Sequence, residues 1–229
     1  MRVVCTADYQ GLFYDIEPEL IPDGDLLLIA GDIGGWGTLQ EMKDFNSWLG
    51  DLPHKHKCVV VGNHDLAIGG GADGHEIFTN ATYLQDELVE IEGLRIYGSP
   101  VSDMNELFYT VPFIAFSQPS YQERVAEEIP DNLDILLTHG PPYGILDKLK
   151  RNNKSVGSKD LRRAVLSKQP RFHVFGHIHE SHNQLTIGET TFINAALCSE
   201  RNQMFKPNGS LYFDPIVFDI EPRPKLGQV

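Results

Sequence analysis

Short runs rich in Val, Ile and Leu recur along the chain, with helical stretches or long loops between them. The five clearest runs are residues 3–7, 26–30, 58–61, 135–138 and 172–175. Apolar runs of this length are typical of the inner strands of an α/β protein, because helices cover such strands on both faces. The sequence therefore predicts an α/β fold built around several short buried strands.

The segments between these runs predict helices and hairpins. Helices are expected at 38–49, 120–128 and 158–168, with Ser158 capping the last and a capping-box pattern of Ser120 and Glu123 in the second. Residues 88–91 and 94–97 flank Glu92-Gly93, and residues 184–187 and 190–193 flank Gly188-Glu189. Both pairs predict tight hairpins, so the later part of the chain should add antiparallel strands.

With 229 residues and no low-complexity stretch, the chain is expected to form one domain over residues 1–220. The Pro-rich tail at 221–229 is expected to fray. The glycine run at 69–71 lacks the Lys-Ser/Thr pair of a phosphate loop and predicts a flexible loop. The segment 99–119 is a candidate lid, in which aromatic rings stack on a nucleobase or instead fill a local apolar cluster. Those rings belong to Phe108, Tyr109, Phe113 and Phe116.

Composition excludes some classes of partner. Acidic residues outnumber basic ones by 32 to 19, giving a formal net charge of −13, so the surface field repels duplex nucleic acid. The three cysteines, Cys5, Cys58 and Cys198, lie in apolar stretches at no metal-like spacing, which favours a reducing compartment. No apolar run approaches the roughly 20 residues of a membrane span, and no leader is evident. A cytoplasmic protein without a membrane partner is expected.

Each predicted buried strand is followed by a small residue and then by a side chain that can bind metal. Because the carboxyl ends of strands in an open sheet meet at one crevice, these side chains are expected to converge. Three imidazoles, two carboxylates and one carboxamide suit a divalent ion such as Mn²⁺, Fe²⁺ or Zn²⁺. The side chains are those of Asp8, Asp32, Asn63, His139, His177 and His179.

Four motifs in order along the chain resemble those of the calcineurin-like metallophosphoesterases. They are Gly31-Asp32, Gly62-Asn63-His64-Asp65, Thr138-His139-Gly140 and Gly176-His177-Ile178-His179. Further stretches at 96–100, 138–142, 173–176 and 193–196 resemble the metallophosphoesterase-domain branch, some of whose members are nucleotide phosphodiesterases. The resemblance implies a four-layer α-β-β-α sandwich of two mixed sheets flanked by helices.

The resemblance also implies roles for individual residues. Asp32 would bridge two divalent ions, one of which would also bind Asp8 and His179. The other ion would bind Asn63, His139 and His177. Hydroxide held between the ions would attack phosphorus, His64 would stabilise or protonate the leaving oxygen, and Asp65 would orient the His64 imidazole. The substrate would be a small phosphate ester, with a nucleotide-type phosphodiester favoured by the branch resemblance.

One position departs from the family pattern, which begins with Asp, any residue and His, whereas this chain has Asp8-Tyr9-Gln10. Gln10 either ligates the ion that would bind Asp8 and His179, through its carbonyl oxygen, or makes no metal contact. A carboxamide is a poorer donor than imidazole toward Zn²⁺ or Fe²⁺, so Mn²⁺ is the expected metal, with Mg²⁺, Fe²⁺ and Zn²⁺ as alternatives. Two other functions stay open: a phosphomonoesterase acting on a small molecule or phosphoprotein, and a non-catalytic metal-binding scaffold.

Overall fold

The structure is a computed structural model that describes residues 1–102 and 114–223. In the described residues, two mixed β-sheets pack face to face and carry helices on their outer faces. The strands are β1 (Arg2–Thr6), β2 (Leu26–Ala30), β3 (His56–Val60), β4 (Thr82–Tyr83), β5 (Glu87–Ile91), β6 (Leu94–Ser99), β7 (Ile135–Thr138), β8 (Phe172–Phe175), β9 (Asn183–Ile187), β10 (Thr190–Asn194) and β11 (Ile216–Asp219). The α-helices are α1 (Leu39–Asp51), α2 (Leu66–Gly69), α3 (Gly74–Ile77), α4 (Ile114–Ser117), α5 (Pro119–Glu128) and α6 (Lys159–Lys168). The predicted α/β sandwich of two mixed sheets is confirmed.

The first sheet has the order β11-β1-β2-β3-β4, and the second has the order β5-β6-β7-β8-β10-β9. In the first sheet β1 to β4 are parallel, and β11 pairs with β1 in the antiparallel sense. In the second sheet β6, β7, β8 and β10 are parallel, whereas the two predicted hairpins place β5 and β9 antiparallel at the edges. The central strands of each sheet therefore end at a common edge.

Alternate residues of the central strands face two different cores. In β1, Val3 and Cys5 face the second sheet, whereas Val4 packs with Phe45 and Leu49 of α1. The outer face of the second sheet packs in the same way against α5 and α6. Because both faces of these strands are buried, their sequences are continuous apolar runs rather than an alternating pattern.

Two predicted helix starts are confirmed and one is wrong. Ser158 caps α6 by accepting the N–H of Leu161, and Thr38 begins α1 with a complete capping box. The expected capping box of Ser120 and Glu123 is absent, because α5 begins at Pro119 with Gln118 as its N-cap. Proline at the first helical position already has the required φ, which moves the start one residue earlier.

Three further expectations concern the short segments at 69–71, 99–119 and 221–229. The predicted flexible loop at 69–71 follows directly on α2, which includes Gly69. Phe116 is buried and contacts Tyr121, as the apolar-cluster interpretation of the candidate lid expects, whereas Phe108, Tyr109 and Phe113 lie outside the described residues. In the predicted tail, Glu221 accepts a hydrogen bond from Arg171, and residues 224–229 lie outside the described residues. None of the helices in the described residues is both long and apolar enough to cross a bilayer.

Candidate metal centre

The polar side chains that follow the central strands meet at one edge of the sandwich. Asp8 and Asp32 each lie two residues beyond a strand of the first sheet. His139 directly follows β7, and His177 lies two residues beyond β8 in the second sheet. Backbone hydrogen bonds join these ends, from the Asp8 N–H to Gly31 at 2.9 Å and from the Gly176 N–H to His139 at 3.0 Å. The two sheets thus supply ligand candidates to a single location.

One cluster of donor atoms surrounds the Nε2 atom of His139. This nitrogen lies 3.0 Å from Oδ1 of Asn63, 3.2 Å from Nδ1 of His177 and 3.3 Å from Oδ1 of Asp32. His139 is fully buried, and Asp32 is 2% exposed. Four donor atoms from four separate segments therefore lie together around this nitrogen.

A second cluster shares the Asp32 carboxylate. Asp8, Asp32 and His179 each offer an atom within 4.8 Å of those of the others, and Nε2 of His179 lies 3.2 Å from Oδ1 of Asp8. All three residues are buried. Asp32 is therefore the common member of two adjacent groups of metal-competent side chains.

Hydrogen bonds to the far nitrogens of two histidines show that these residues suit cations. Nδ1 of His139 lies 2.8 Å from the carbonyl oxygen of Ala30, and Nδ1 of His179 lies 2.9 Å from that of Ser199. Each Nδ1 must carry a hydrogen to donate to its carbonyl, so in a neutral ring Nε2 presents a lone pair. In the neutral rings these lone pairs would face Oδ1 of Asp32 and Oδ1 of Asp8, and a cation between them would offset that repulsion.

The backbone around the clusters is held in an unusual conformation. Asp8, Gln10, Asp32 and His177 have φ values of 58°, 51°, 53° and 70°, in the left-handed region that side chains rarely adopt. Each such residue costs on the order of 1–3 kcal/mol, which persists only where the surrounding structure imposes it. A Cβ at Gly176 would collide with Oδ2 of Asp8, so glycine is required for this close approach. The strain and the glycine both serve to bring the carboxylates inward.

At neutral pH, Asp32 and His177 are in the protonation states that bind metal, the ionised carboxylate and the neutral imidazole. Burial raises the pKa of Asp32, but His139, His64 and His177 together outweigh burial and hold this pKa below its usual value. Burial lowers the pKa of His177 to about 4, so its ring is neutral. Burial also lowers the pKa of His179, but the Asp8 carboxylate outweighs it and the net pKa is about 9. A cation at His179 therefore competes with a proton, and binding there releases that proton.

Gln10 lies beside the shared carboxylate. Its side chain is buried, and Nε2 donates a hydrogen bond to Oδ2 of Asp32 at 3.0 Å. An amide nitrogen that donates in this way does not coordinate metal, so Oε1 is the atom of Gln10 that is able to do so. Gln10, at the sequence position where the family pattern has histidine, thus contacts the clusters through Asp32.

His64 and Asp65 have different surroundings from each other. His64 is partly exposed, its backbone N–H donates to Oδ1 of Asp32 at 2.8 Å, and its Nδ1 lies 3.4 Å from the carbonyl oxygen of Gly35. Asp65 is fully buried and accepts backbone N–H groups from Ile33 and Gly34 at 2.9 Å and from Gly62 at 2.7 Å. Both carboxylate oxygens of Asp65 therefore fix the loops that follow β2 and β3, and its role in orienting the His64 imidazole stays a prediction.

The clusters open onto a cleft of about 510 Å³. Asp32, Asn63, His64 and His177 line one part of it, together with Gln10. Two segments that carry no predicted site residue complete its wall. They contribute Leu149, Lys150, Arg151 and Val156 from one loop and Glu200, Arg201 and Asn202 from another. No motif marks these loops, so sequence reasoning missed them and had no signal by which to find them.

The described geometry agrees with the comparisons with known proteins. The profile of the calcineurin-like phosphoesterase family matches residues 1–181. Metallophosphoesterase domain-containing protein 1 of Homo sapiens is 36% identical over 251 residues, which cover 98% of this chain and 72% of that protein. A UPF0046 protein of Caenorhabditis elegans is 36% identical over 242 residues, which cover 96% of this chain and 81% of that protein.

A solved structure extends the similarity to the fold alone. The crystal structure of TT1561 of Thermus thermophilus matches with a TM-score of 0.56 and 16% sequence identity. The match covers 84% of this chain and 88% of that chain. Because the sequence identity is low, this likeness concerns the arrangement of the two sheets and their helices.

Proposed function

We propose that this chain, which belongs to the calcineurin-like phosphoesterase family, hydrolyses nucleotide-type phosphodiesters. The family consists of metal-dependent phosphoric ester hydrolases with a binuclear divalent centre and small phosphate-ester substrates. The observation that carries the proposal is the sharing of Asp32 by two adjacent groups of metal-competent side chains. A shared carboxylate is what two cations at close distance require to screen their repulsion.

The residues of the chain take distinct roles in the proposed mechanism. Asp8 and His179 would hold one ion, Asn63, His139 and His177 would hold the other, and Asp32 would contact both. When bound, a pair of ions would neutralise charge on the phosphoryl oxygens and lower the pKa of a water toward about 7, which would supply the hydroxide needed for hydrolysis. The carbonyl oxygens of Ala30 and Ser199 keep the imidazoles in the tautomer that presents Nε2.

His64 is assigned to the leaving oxygen. Its ring lines the cleft beside Asp32, and its backbone is fixed by the hydrogen bond to that carboxylate. Contact between Nδ1 and Gly35 leaves Nε2 as the nitrogen for substrate. The protonated Nε2 would stabilise the departing oxygen by a hydrogen bond or donate its proton to it. General acids of this kind usually contribute a factor of order 10²–10⁴ in rate.

A diester is favoured over a monoester by the branch resemblance and by the size of the cleft. A volume of about 510 Å³ leaves room for organic groups on both sides of phosphorus. A direct test compares the Mn²⁺-loaded protein on bis-p-nitrophenyl phosphate and p-nitrophenyl phosphate. The expected result is a higher kcat/KM for the diester. A clear preference for the monoester would support a phosphomonoesterase, and binding of metal without turnover of either would support a scaffold.

Manganese is the proposed metal because Gln10 stands where the family pattern has an imidazole. Replacing Gln10 by His should tighten binding of the ion at Asp8 and His179. It should also shift the metal preference toward Zn²⁺, since imidazole is the better donor for that metal. Calorimetric titrations with Mn²⁺ and Zn²⁺ measure both effects. The matched control is Gln40→His, because Gln40 is exposed on α1 and contacts Asp44. Identical titrations of the parent protein and Gln10→His would place Gln10 outside the ligand set.

A reducing compartment is proposed from the thiols. Cys5, Cys58 and Cys198 are all buried and unpaired. Burial raises the pKa of each thiol, which keeps these groups protonated and unreactive. This arrangement suits the cytoplasm, where disulfides are rare.

A further inference from the structure

We propose that Arg151 and Arg201 form a second anion-binding subsite in the cleft, selecting substrates that carry a phosphate or carboxylate beyond the scissile phosphate. The inference rests on the proposed function, because it names the substrate class of that same cleft. Both arginines line the cavity that contains Asp32, Asn63 and His177. They belong to different segments from the metal-ligand candidates, so they reach a different part of a bound molecule.

The loop that carries Arg151 is an ordered structure. Asp147 is fully buried at its base, and Oδ2 accepts backbone N–H groups from Gly144 at 2.7 Å, Val156 at 3.0 Å and Gly157 at 2.9 Å. One carboxylate oxygen thus ties together both ends of the segment 144–157. Such charge-assisted hydrogen bonds are stronger than neutral ones, and they fix the backbone of the loop.

The tip of the loop is closed by further backbone contacts. Lys148 pairs with Ser155 in an antiparallel bridge, and the carbonyl oxygen of Leu149 accepts the N–H of Asn153 at 2.7 Å. The Oγ atom of Ser181 bonds both the N–H and the carbonyl of Lys148. Arg151 therefore projects from a turn whose backbone is held on both sides, which lowers the entropic cost of binding a ligand.

Lys150 joins the loop to the segment of Arg201. Its Nζ lies 3.0 Å from Oε1 of Glu200, and its backbone N–H donates to Oε1 of Glu180 at 3.0 Å. The backbone N–H of Arg201 donates to Oγ of Ser199, whose carbonyl oxygen in turn holds His179. The segments that carry the two arginines are therefore linked to each other and to the metal-ligand residues.

The guanidinium groups of Arg151 and Arg201 are available to contact a ligand in the cleft. The positive charge of Lys150 is matched by Glu200. Across residues 1–102 and 114–223, no carboxylate forms an ion pair with Arg151 or Arg201. In a chain of net charge −13, the cleft wall balances the carboxylates of Asp32, Glu180 and Glu200 with the cations Lys150, Arg151 and Arg201, so it is locally neutral. The planar fork of arginine matches the oxygens of phosphate and carboxylate, which favours an anionic ligand group.

The test compares two chromogenic diesters that differ by one phosphate. They are thymidine 5′-(p-nitrophenyl phosphate) and its 3′-phosphorylated form, each with the Mn²⁺-loaded protein. We expect kcat/KM about tenfold higher for the 3′-phosphorylated substrate, mainly through KM, because one charge-assisted contact is of that size. The double variant Arg151→Gln/Arg201→Gln should reduce the preference to less than about twofold. The control Arg163→Gln, which changes an exposed arginine of α6, should retain it.

A binding measurement separates failure of the subsite from failure of the proposed function. Calorimetry compares thymidine 3′,5′-bisphosphate with thymidine 5′-monophosphate and needs no turnover. Tighter binding of the bisphosphate that is lost in the double variant supports the subsite, even where neither diester is hydrolysed. Equal binding and equal kcat/KM for the two members of each pair would overturn the subsite while leaving phosphodiester hydrolysis intact. A preference that survives in the double variant would also overturn it.

Discussion

His64→Ala is expected to retain two metal ions per chain and to lose about 10²–10⁴-fold in kcat, the usual contribution of a general acid. The reason is that the His64 ring lines the cleft, whereas the contact between this residue and Asp32 is made by its backbone N–H, which alanine keeps. Elemental analysis measures the metal, and steady-state kinetics on the diester measures kcat. Free imidazole should restore part of the activity, because it can occupy the space left by the ring.

The matched control for this variant is His75→Ala. His75 is an exposed histidine that pairs with Glu87. Its removal should leave both metal content and kcat unchanged. Full activity of His64→Ala would refute the role of the ring in the reaction, and loss of metal from this variant would reassign His64 to the metal centre.

Asp32→Asn is expected to lower metal content and turnover together. The substitution removes the charge that both ligand groups share, while the amide keeps nearly the same shape. Loss of an outer-shell partner alone typically costs roughly 10–100-fold in metal affinity, so loss of a bridging carboxylate should exceed that range. Titration with Mn²⁺, followed by kinetics at each metal concentration, measures the two effects in one preparation.

Asp73→Asn is the control for removal of one negative charge. Asp73 is the N-cap of α3 and accepts the N–H of His75 through its side chain. Asparagine caps a helix about as well as aspartate, so stability should be unchanged. Two ions bound with parent affinity in Asp32→Asn would contradict the assignment of the bridge.

The convergence of the site was predictable because it follows from the direction of parallel strands. Asp8, Asp32, Asn63, His139 and His177 each come shortly after an apolar run, and such ends share an edge of the sheet. The pattern of strands and the order of the motifs therefore predicted both the fold class and the location of the candidate metal centre. The assignment of individual ligands to individual ions stays a prediction.

What the sequence did not reveal depends on contacts between distant segments. The spacing of Asp65 suggests a partner of the adjacent His64, but Asp65 accepts backbone N–H groups from the loop after β2. The carbonyl oxygens of Ala30 and Ser199 orient two histidines, and a backbone carbonyl has no sequence signature. Local patterns cannot predict these contacts, since their partners are chosen by the packing of the two sheets.

The helix starts illustrate the same limit at short range. Ser120 and Glu123 have the spacing of a capping box, yet Pro119 occupies the first position of α5 and displaces the cap to Gln118. At α1, the Thr38 and Glu41 pair forms the box, and Glu41 also accepts N–H groups from Gly35 and Trp36. Whether a capping box forms therefore depends on the neighbouring residues as well as on the two residues of the motif.

The most direct test of a two-ion centre is anomalous diffraction from crystals grown with excess manganese. A two-ion centre predicts two manganese peaks roughly 3.5–4 Å apart, with the carboxylate of Asp32 between them. One ion should contact Asp8 and His179, and the other Asn63, His139 and His177. A map with no manganese beside these residues, or with a single ion that Asp32 does not touch, would contradict it.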